Sequence, residues 1–576
     1  MKIFIKFKSQ NVEDKVMKCF LTLFSIFCVV CTSGNLRAQQ PTVGLLEYSQ
    51  GDNQDGYVLF APISSTTTYL INKCGEKVHE WSSMYKPGLS VYLLEDGSIL
   101  RSGNVDNPVF KIGGGAGGVI ERIGWDGTLL WSYALSSNTM CQHHDIYPLP
   151  NGNVLAIIWE SKSYKDVVDA GRDTAIANEN GWFDKIIEIN PTGKNTGDVV
   201  WQWSSWDHLV QEYDQAKSNY NIIADNPTRI NINYSIEKPH KLLDWLHFNS
   251  IDYNADLDQI LVNAYGFGEV WVLDHSTTTK EAATQTGGKY GKGGDLLYRW
   301  GNAASYDMGT QNDRKLFGEH NAHWIQKGLT DAGKIMVFNN GLGRKNGNYS
   351  SVDIINPPIL GDGSYLYQQN ESFGPEKQDW IYTDSARGGF SALSFSSSQR
   401  LSNGNTLICV GTTGEFFEVT PNNKLVWRYV NPATLLGITK QGDKPEGNSV
   451  FRANLLMKDF TGFNGKNLSA GKPIELEPYQ SICTPNSVSQ EIQDKSLQVY
   501  PNPAEGDMYI HCTSDFSAQM EVSLINSLGD IVSKQHITGN NDGNFKVDVH
   551  TIPAGIYVLK ITNHVSTHFE KVMIVR

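Results

Sequence analysis

Six times along this chain, a strand-like segment, a turn and a second strand-like segment end on a tryptophan. The copies are YLINKCGEKVHEW to Trp81, VIERIGWDGTLLW to Trp131 and KIIEINPTGKNTGDVVW to Trp201. Then come EVWVLDHSTTT through GGDLLYRW to Trp300, SVDIINPPIL through DW to Trp380, and FFEVTPNNKLVW to Trp427. Their spacings of 50, 70, 99, 80 and 47 residues keep the unit and vary its loops. Such repetition is the mark of antiparallel sheets arrayed radially. The expected fold is all-β: a six-bladed β-propeller over residues 39–470, followed by a small C-terminal β-sandwich over 496–576. A propeller has a central channel, on which polar side chains at the starts of the innermost strands converge.

A second signal recurs inside the repeat. EDGSIL, PNGNVL and SNGNTL carry the Asp-Gly and Asn-Gly pairs that favour hairpin turns, and read as the same hairpin in blades one, two and five. NADLDQILVNA and TDAGKIMVFNN read as degenerate versions in blades three and four. The sixth blade is expected to be shared, with GYVLFAP and YLINK pairing with NSVFRANLLM to close the ring.

The net charge of -13 offers no basic stripe, which argues against nucleic acid as a partner. It leaves room for an anionic small substrate in a local cationic pocket. At the N-terminus, Lys2, Lys6, Lys8, Lys15 and Lys18 precede an apolar run from Cys19 to Cys31. That run is too short to span a bilayer comfortably and suits a signal peptide over residues 1–38. No later segment reads as membrane-spanning. Past it remain Cys74, Cys141, Cys409, Cys483 and Cys512, an odd set with no CxxC, which reads neither as a disulfide framework nor as a zinc site, leaves room for one or two bridges, and leaves at least one thiol free or paired elsewhere.

Residues 471–495, with Pro473, Pro478 and Pro485, read as a linker. The tail after it carries YPNPAEGDMYI, INSLGDIV, IPAGIYVLKI and KVMIVR in order. It resembles the type A C-terminal sorting domain of the type IX secretion system. The resemblance implies passage through the periplasm to the cell surface or medium, with the type IX machinery as a partner.

The informative histidines stand just before inner hairpins: His143 and His144 in CQHHDIYPLPNGN, His247 in DWLHFNSIDYN, and His320 and His323 in GEHNAHWIQKG. Equivalent positions in successive blades share a radius, so these residues are expected to face one channel. Arg344 follows in the Gly-rich turn NNGLGRKNGNYSS, where a planar guanidinium can hold two oxygens of an oxyanion. A structural role, bonding backbone carbonyls, stays open for His143 and His144.

Over residues 140–432 the segments HHDIYPLPNGNVLAIIWE, DWLHFNSIDYNADLDQILVNA, KGGDLLYRWGN, HNAHWI and FNNGLGRKNGNYSSVDII resemble the arylsulfotransferase family. QRLSNGNTLICVGTTGEFFEVTPNNKLVWRYVNP extends the likeness. The resemblance implies transfer of a sulfuryl group from a phenolic sulfate ester to a phenol, without a nucleotide donor or other cofactor. By the same resemblance His247 and His320 match substrate-binding histidines and Arg344 the sulfate-binding arginine, giving the expected catalytic set. His144, Asn321, His323 and Thr413 are the expected substrate-binding residues, and no metal is expected. The family's nucleophilic histidine aligns with Thr413, and this chain has no histidine between His323 and His511. Candidates for the missing role are His144, His323, or direct transfer without an intermediate. A non-catalytic propeller binding an aromatic or sulfated ligand is the second reading, and a metal-dependent hydrolase the third.

Overall fold

The computed structural model describes residues 40–111, 114–177, 179–236, 243–384, 388–483, 497–512, 519–526, 530–538, 544–562 and 567–576. The segment 1–38, expected to be a signal peptide, lies outside them. Residues up to Gln480 form one unit and those from Ser481 another.

Among the described residues, the first unit holds six antiparallel sheets of four or five strands and two two-stranded ones; in sheets one to four the strands run in sequence order from the inner to the outer edge. Sheet one comprises Pro87–Leu93, Ile99–Asn104, Gly118–Ile123 and Leu129–Ala134. Sheet two comprises Met140–Pro148, Val154–Lys162, Gly181–Gly193 and Thr196–Ser204. Sheet three comprises Phe248–Asn254, Gln259–Ala264, Glu269–Asp274 and Tyr298–Trp300. Sheet four comprises His320–Trp324, Ile335–Asn339, Ser351–Ile355 and Trp380–Tyr382. Sheet five comprises Ser397–Arg400, Thr406–Val410, Glu415–Val419 and Leu425–Val430, with Gly44–Tyr48 added at its outer edge. In sheet six the inner strand Val450–Leu456 pairs with Tyr57–Pro62, followed by Thr67–Asn72 and Lys77–Ser82. This is the shared closing sheet expected from the sequence.

Each sheet buries both faces, one against each neighbour, which is why strands such as VLAIIW and QILVNA are apolar almost throughout. Ile260 and Val262 pack toward sheet two, whereas Leu261 between them packs toward sheet four. Such apolar layers lie between every successive pair, including sheets five and six and sheets six and one. The unit is all-β and propeller-like.

All six repeat tryptophans lie in the fourth strand of their sheet, counted from the inner edge. Four of their indole N–H groups staple neighbours: Trp131 donates to the Thr196 carbonyl at 3.1 Å, Trp201 to Thr277 Oγ1 at 3.2 Å, Trp300 to the Pro375 carbonyl at 2.7 Å and Trp427 to the Lys73 carbonyl at 2.7 Å, whereas the buried Trp81 Nε1 has no partner among the described residues. A buried indole usually has such a partner, and each of the four bonds crosses to a neighbouring segment. The turns of the EDGSIL, PNGNVL and SNGNTL hairpins place Gly97, Gly152 and Gly404 at φ 83°, 86° and 85°, which glycine adopts without cost.

At the inner edge, unpaired strand donors would be costly. Side chains of the preceding sheet accept them. Asp145 takes Ile251 N–H, Ser250 and Asp252 take Ala322 and Trp324 N–H, and Asn321 takes Ser398 N–H. Ser397 and Gln399 then take Ala453 and Leu455 N–H.

In the second unit, one sheet contains Leu497–Tyr500, Asp507–Cys512 and Asn544–Asp548, and another Ile531–Thr538, Gln519–Ile525, Gly555–Thr562 and Thr567–Ile574. Met508, Ile510, Val522, Phe545, Leu559 and Val572 from both share one core. Cys141 and Cys409 are buried free thiols, whereas Cys74 and Cys483 are disulfide-bonded.

Candidate functional site

The inner strands share a local device. Just before or within five of them, Leu89, His144, His247, Asn321 and Ser396 take left-handed φ values of 97°, 51°, 53°, 53° and 92°. The inner-strand pairings slip register there, at Pro87/Val91, Ala156/Ile158, Phe248/Ile251 and His320/His323. Left-handed backbone in residues with side chains is strained, and strain of this kind gathers at functional sites. It re-aims side chains that would otherwise enter the inter-sheet layers.

Three histidines meet at this end. The His144 and His247 rings are edge-to-face at 4.5 Å, and Tyr265 lies 5.1 Å from His247 and 5.8 Å from His320. His247 Nδ1 bonds Asp244 Oδ2 at 2.6 Å. Burial opposes its charge, but the Asp244 carboxylate and this bond outweigh burial and raise the imidazole above its ordinary range. His320 behaves oppositely, with burial lowering it to about 4. Its Nδ1 donates to Asn340 Oδ1 at 2.8 Å and its Nε2 accepts Phe395 N–H at 3.2 Å.

Behind His144 stands His143, fully buried and stacked on Trp159 at 4.0 Å. The two histidines meet Nδ1 to Nδ1 at 2.9 Å, and His143 Nε2 lies 2.9 Å from Asp184 Oδ1. Burial first, and then the charges of His247, His143 and His320, hold His144 well below the usual histidine range. Gly115, at φ 86°, covers the His144 ring so closely that a Cβ there would stand 2.2 Å from Cε1.

The other expected residues scatter around this cluster. Arg344 lies between the second and third strands of sheet four, 4.4 Å from the Tyr349 ring and 5.7 Å from Phe317, donating to Ser351 Oγ at 2.6 Å. Phe317 links it to the histidines: its carbonyl accepts Gly341 N–H, and the nearby Gly318 carbonyl is 3.1 Å from His320 Nδ1. Asn321 carries one of the left-handed backbones and bonds sheet five. Thr413 is exposed and its hydroxyl donates to Val410 in its own turn, so nothing ties it to the cluster. His323, lowered by burial to about 4, faces the opposite end of the inner strands. There it lines a cavity of about 710 Å³ with Tyr92, Tyr147, Tyr253, Trp324 and Arg452.

Spacing alone missed several groups. Asp244 lies on a loop and Tyr265 opens a single 3-10 turn, Tyr265–Phe267. Arg314 stacks on Phe317 at 4.3 Å, making a second guanidinium beside that ring. Glu319, both of whose carboxylate oxygens are buried without a hydrogen-bond partner, is pushed by burial up to about 8. Arg452 and Asp145 form a buried ion pair at 2.6 Å between the histidines and the cavity. Among the described residues, metal-ligand spacing occurs at Asp507, Asp548 and His550 in the second unit, where Lys546 already pairs with Asp507.

Comparisons with known proteins bear on this arrangement. Residues 498–575 match the secretion system C-terminal sorting domain, which directs a chain to the cell surface or extracellular space. No described helix is long and apolar enough to cross a membrane. No curated protein matches the chain. Solved structures with distant likeness include the Pseudomonas aeruginosa periplasmic gluconolactonase, at 10% identity over 70% of this chain and 99% of that one, TM-score 0.33. Another is a putative 6-phosphogluconolactonase of Bacteroides fragilis, at 12% over 71% and 99%, TM-score 0.32. The Staphylococcus aureus virginiamycin B lyase is similar at 10% over 72% and 100%, TM-score 0.29. Likeness this distant says nothing about the reaction. Residues 115–459, which carry the whole histidine cluster and Arg344, match the arylsulfotransferase (ASST) family, and the chain belongs to it.

Proposed function

We propose that the first unit is a six-bladed propeller and the second a β-sandwich. The whole is then an exported aryl-sulfate sulfotransferase, moving a sulfuryl group from a phenolic sulfate ester to a phenol. The observation that carries this reading is the meeting of His144, His247 and His320 around one channel mouth.

Sulfuryl transfer resembles phosphoryl transfer, with a loose transition state and charge on the peripheral oxygens. Positioning and cationic groups therefore dominate. Arg344, with Arg314 beside it, supplies the cationic edge near Phe317. His247, held charged by Asp244, protonates the departing phenolate and in the return step deprotonates the acceptor. His320, neutral and fixed at both nitrogens, positions substrate. Tyr265 and Phe451 offer ring faces for an aryl group.

The test is transfer from p-nitrophenyl sulfate to phenol by the full chain, beside His247→Ala and Arg344→Ala. Acceptor-dependent nitrophenol release, lost in both variants, is expected. Binding of aryl sulfates without release would instead favour a non-catalytic propeller, the reading that the exposed Thr413 in place of a nucleophile supports.

A further inference from the structure

We infer that the cavity at the end of the inner strands opposite the histidines is a second binding site, built for an uncharged saccharide. It is independent of the reaction proposed at the histidines.

Strand register defines the site. Tyr92, Tyr147, Tyr253, Trp324, Gln399 and Asn454 pair with Leu100, Leu155, Ile260, Ile335, Leu407 and Leu59, the corresponding place in each of the six ladders. All six side chains line the cavity of about 710 Å³. Sheets one to four contribute a continuous aromatic arc, and sheets five and six close it with amides. A volume of this size suits a small molecule.

The aromatic arc offers faces. The Tyr92 and Tyr147 rings stand 6.0 Å apart, and Tyr147 and Tyr253 6.4 Å. The Tyr92 hydroxyl donates to Asp145 Oδ1 at 2.9 Å and accepts from Arg452 at 2.6 Å, and the Tyr253 hydroxyl donates to Asp258 Oδ1 at 2.7 Å. With those hydroxyls engaged, what the two residues present to a ligand is ring surface.

The charges around the cavity are matched within the protein. Arg452 pairs with Asp145 at 2.6 Å, Arg400 with Asp331 at 3.2 Å and Lys327 with Asp256 at 3.4 Å. Asp252 accepts Trp324 N–H at 2.7 Å, and burial raises its carboxyl to about 7. An ionic ligand would give up its hydration without finding a free counter-charge.

Hydrogen-bonding capacity, by contrast, is left over in both senses. His323 Nδ1 donates to the Asn321 carbonyl at 3.0 Å, which leaves Nε2 of the neutral ring as an acceptor. Ser398 Oγ and Arg452 Nε, on buried side chains of the same wall, have no partner among the described residues. A sugar hydroxyl donates and accepts at once, and the C–H faces of a pyranose lie flat on aromatic rings. A simple phenol brings one hydroxyl, and an organic cation brings no acceptor.

The experiment is saturation-transfer NMR on the full chain with glucose, galactose, mannose, N-acetylglucosamine and maltose, and with phenol and tetramethylammonium alongside. At least one sugar should receive saturation, and calorimetry then gives its Kd. Tyr147→Ala should weaken that Kd about tenfold through the lost ring face. Asn454→Ala, which trims an amide and leaves every ring in place, should weaken it about fivefold. Excess p-nitrophenyl sulfate should leave the sugar bound. An unchanged Kd in either variant, or displacement by p-nitrophenyl sulfate, overturns the assignment. So does binding of phenol or tetramethylammonium where no sugar binds, and so does silence of the whole panel.

Discussion

The outer and inner edges of the same six sheets obey different rules. Outside, the fourth strand of every sheet carries a repeat tryptophan, four of whose indoles donate across to a neighbouring segment, and the ladders keep near-regular pairing with single-residue slips. Inside, five of the six strands carry a left-handed residue within or just before them, ladders skip several residues there, and polar side chains replace backbone partners. The outer edge is repetitive because it only has to pack. The inner edge is irregular because it aims polar groups out of the apolar layers between sheets, and the strain is offset by the stapled periphery.

The sharpest way to break the comparison is at the inner edge. Asp145→Ala leaves Arg452 buried without its partner and removes the acceptor of Ile251 N–H. It should cost about 3–5 kcal/mol in urea unfolding; a cost close to that of a surface substitution would mean the ring is not held there.

Acid should come next. The His320 folded value of about 4 lies below the ordinary one near 6.5, so the unfolded chain binds the extra proton. Stability is therefore full above about pH 6.5 and falls as pH drops toward 4, by about 3 kcal/mol for this group alone. His323 adds to the same window. Thermal unfolding across that range checks it, and His323→Gln should flatten the slope. A flat profile would place both rings in water.

Asp244→Asn separates chemistry from packing. His247 loses the charge that raises it, so the alkaline limb of the rate profile should move to lower pH and kcat above neutrality fall about tenfold. An unmoved limb would remove His247 from the acid role. The smallest effect belongs to the outer edge. Trp131→Phe loses one bond to the Thr196 carbonyl and should cost about 1 kcal/mol in melting experiments, with transfer rate unchanged.

This division also explains what could be read from the sequence. The tryptophans, the Asn-Gly hairpins and the pairing of Tyr57–Pro62 with Val450–Leu456 were legible because each is a local pattern repeated, or completed, along the chain. The meeting of His144, His247 and His320 follows from their places at the starts of successive inner strands. Their partners do not. Asp184 comes from the third strand of sheet two, Asn340 from a strand end, Asp244 from a loop and Tyr265 from a 3-10 turn. Spacing carries no information about loops that differ in every copy.

The shared sixth sheet has a consequence in time. Tyr57 pairs with Leu456, so the ring closes between positions roughly 400 residues apart, and that contact must wait for nearly the whole unit. Until then sheets five and one each present an uncovered apolar face, and Arg452, which arrives on the last strand, has not reached Asp145. The step that completes the structure also completes the site.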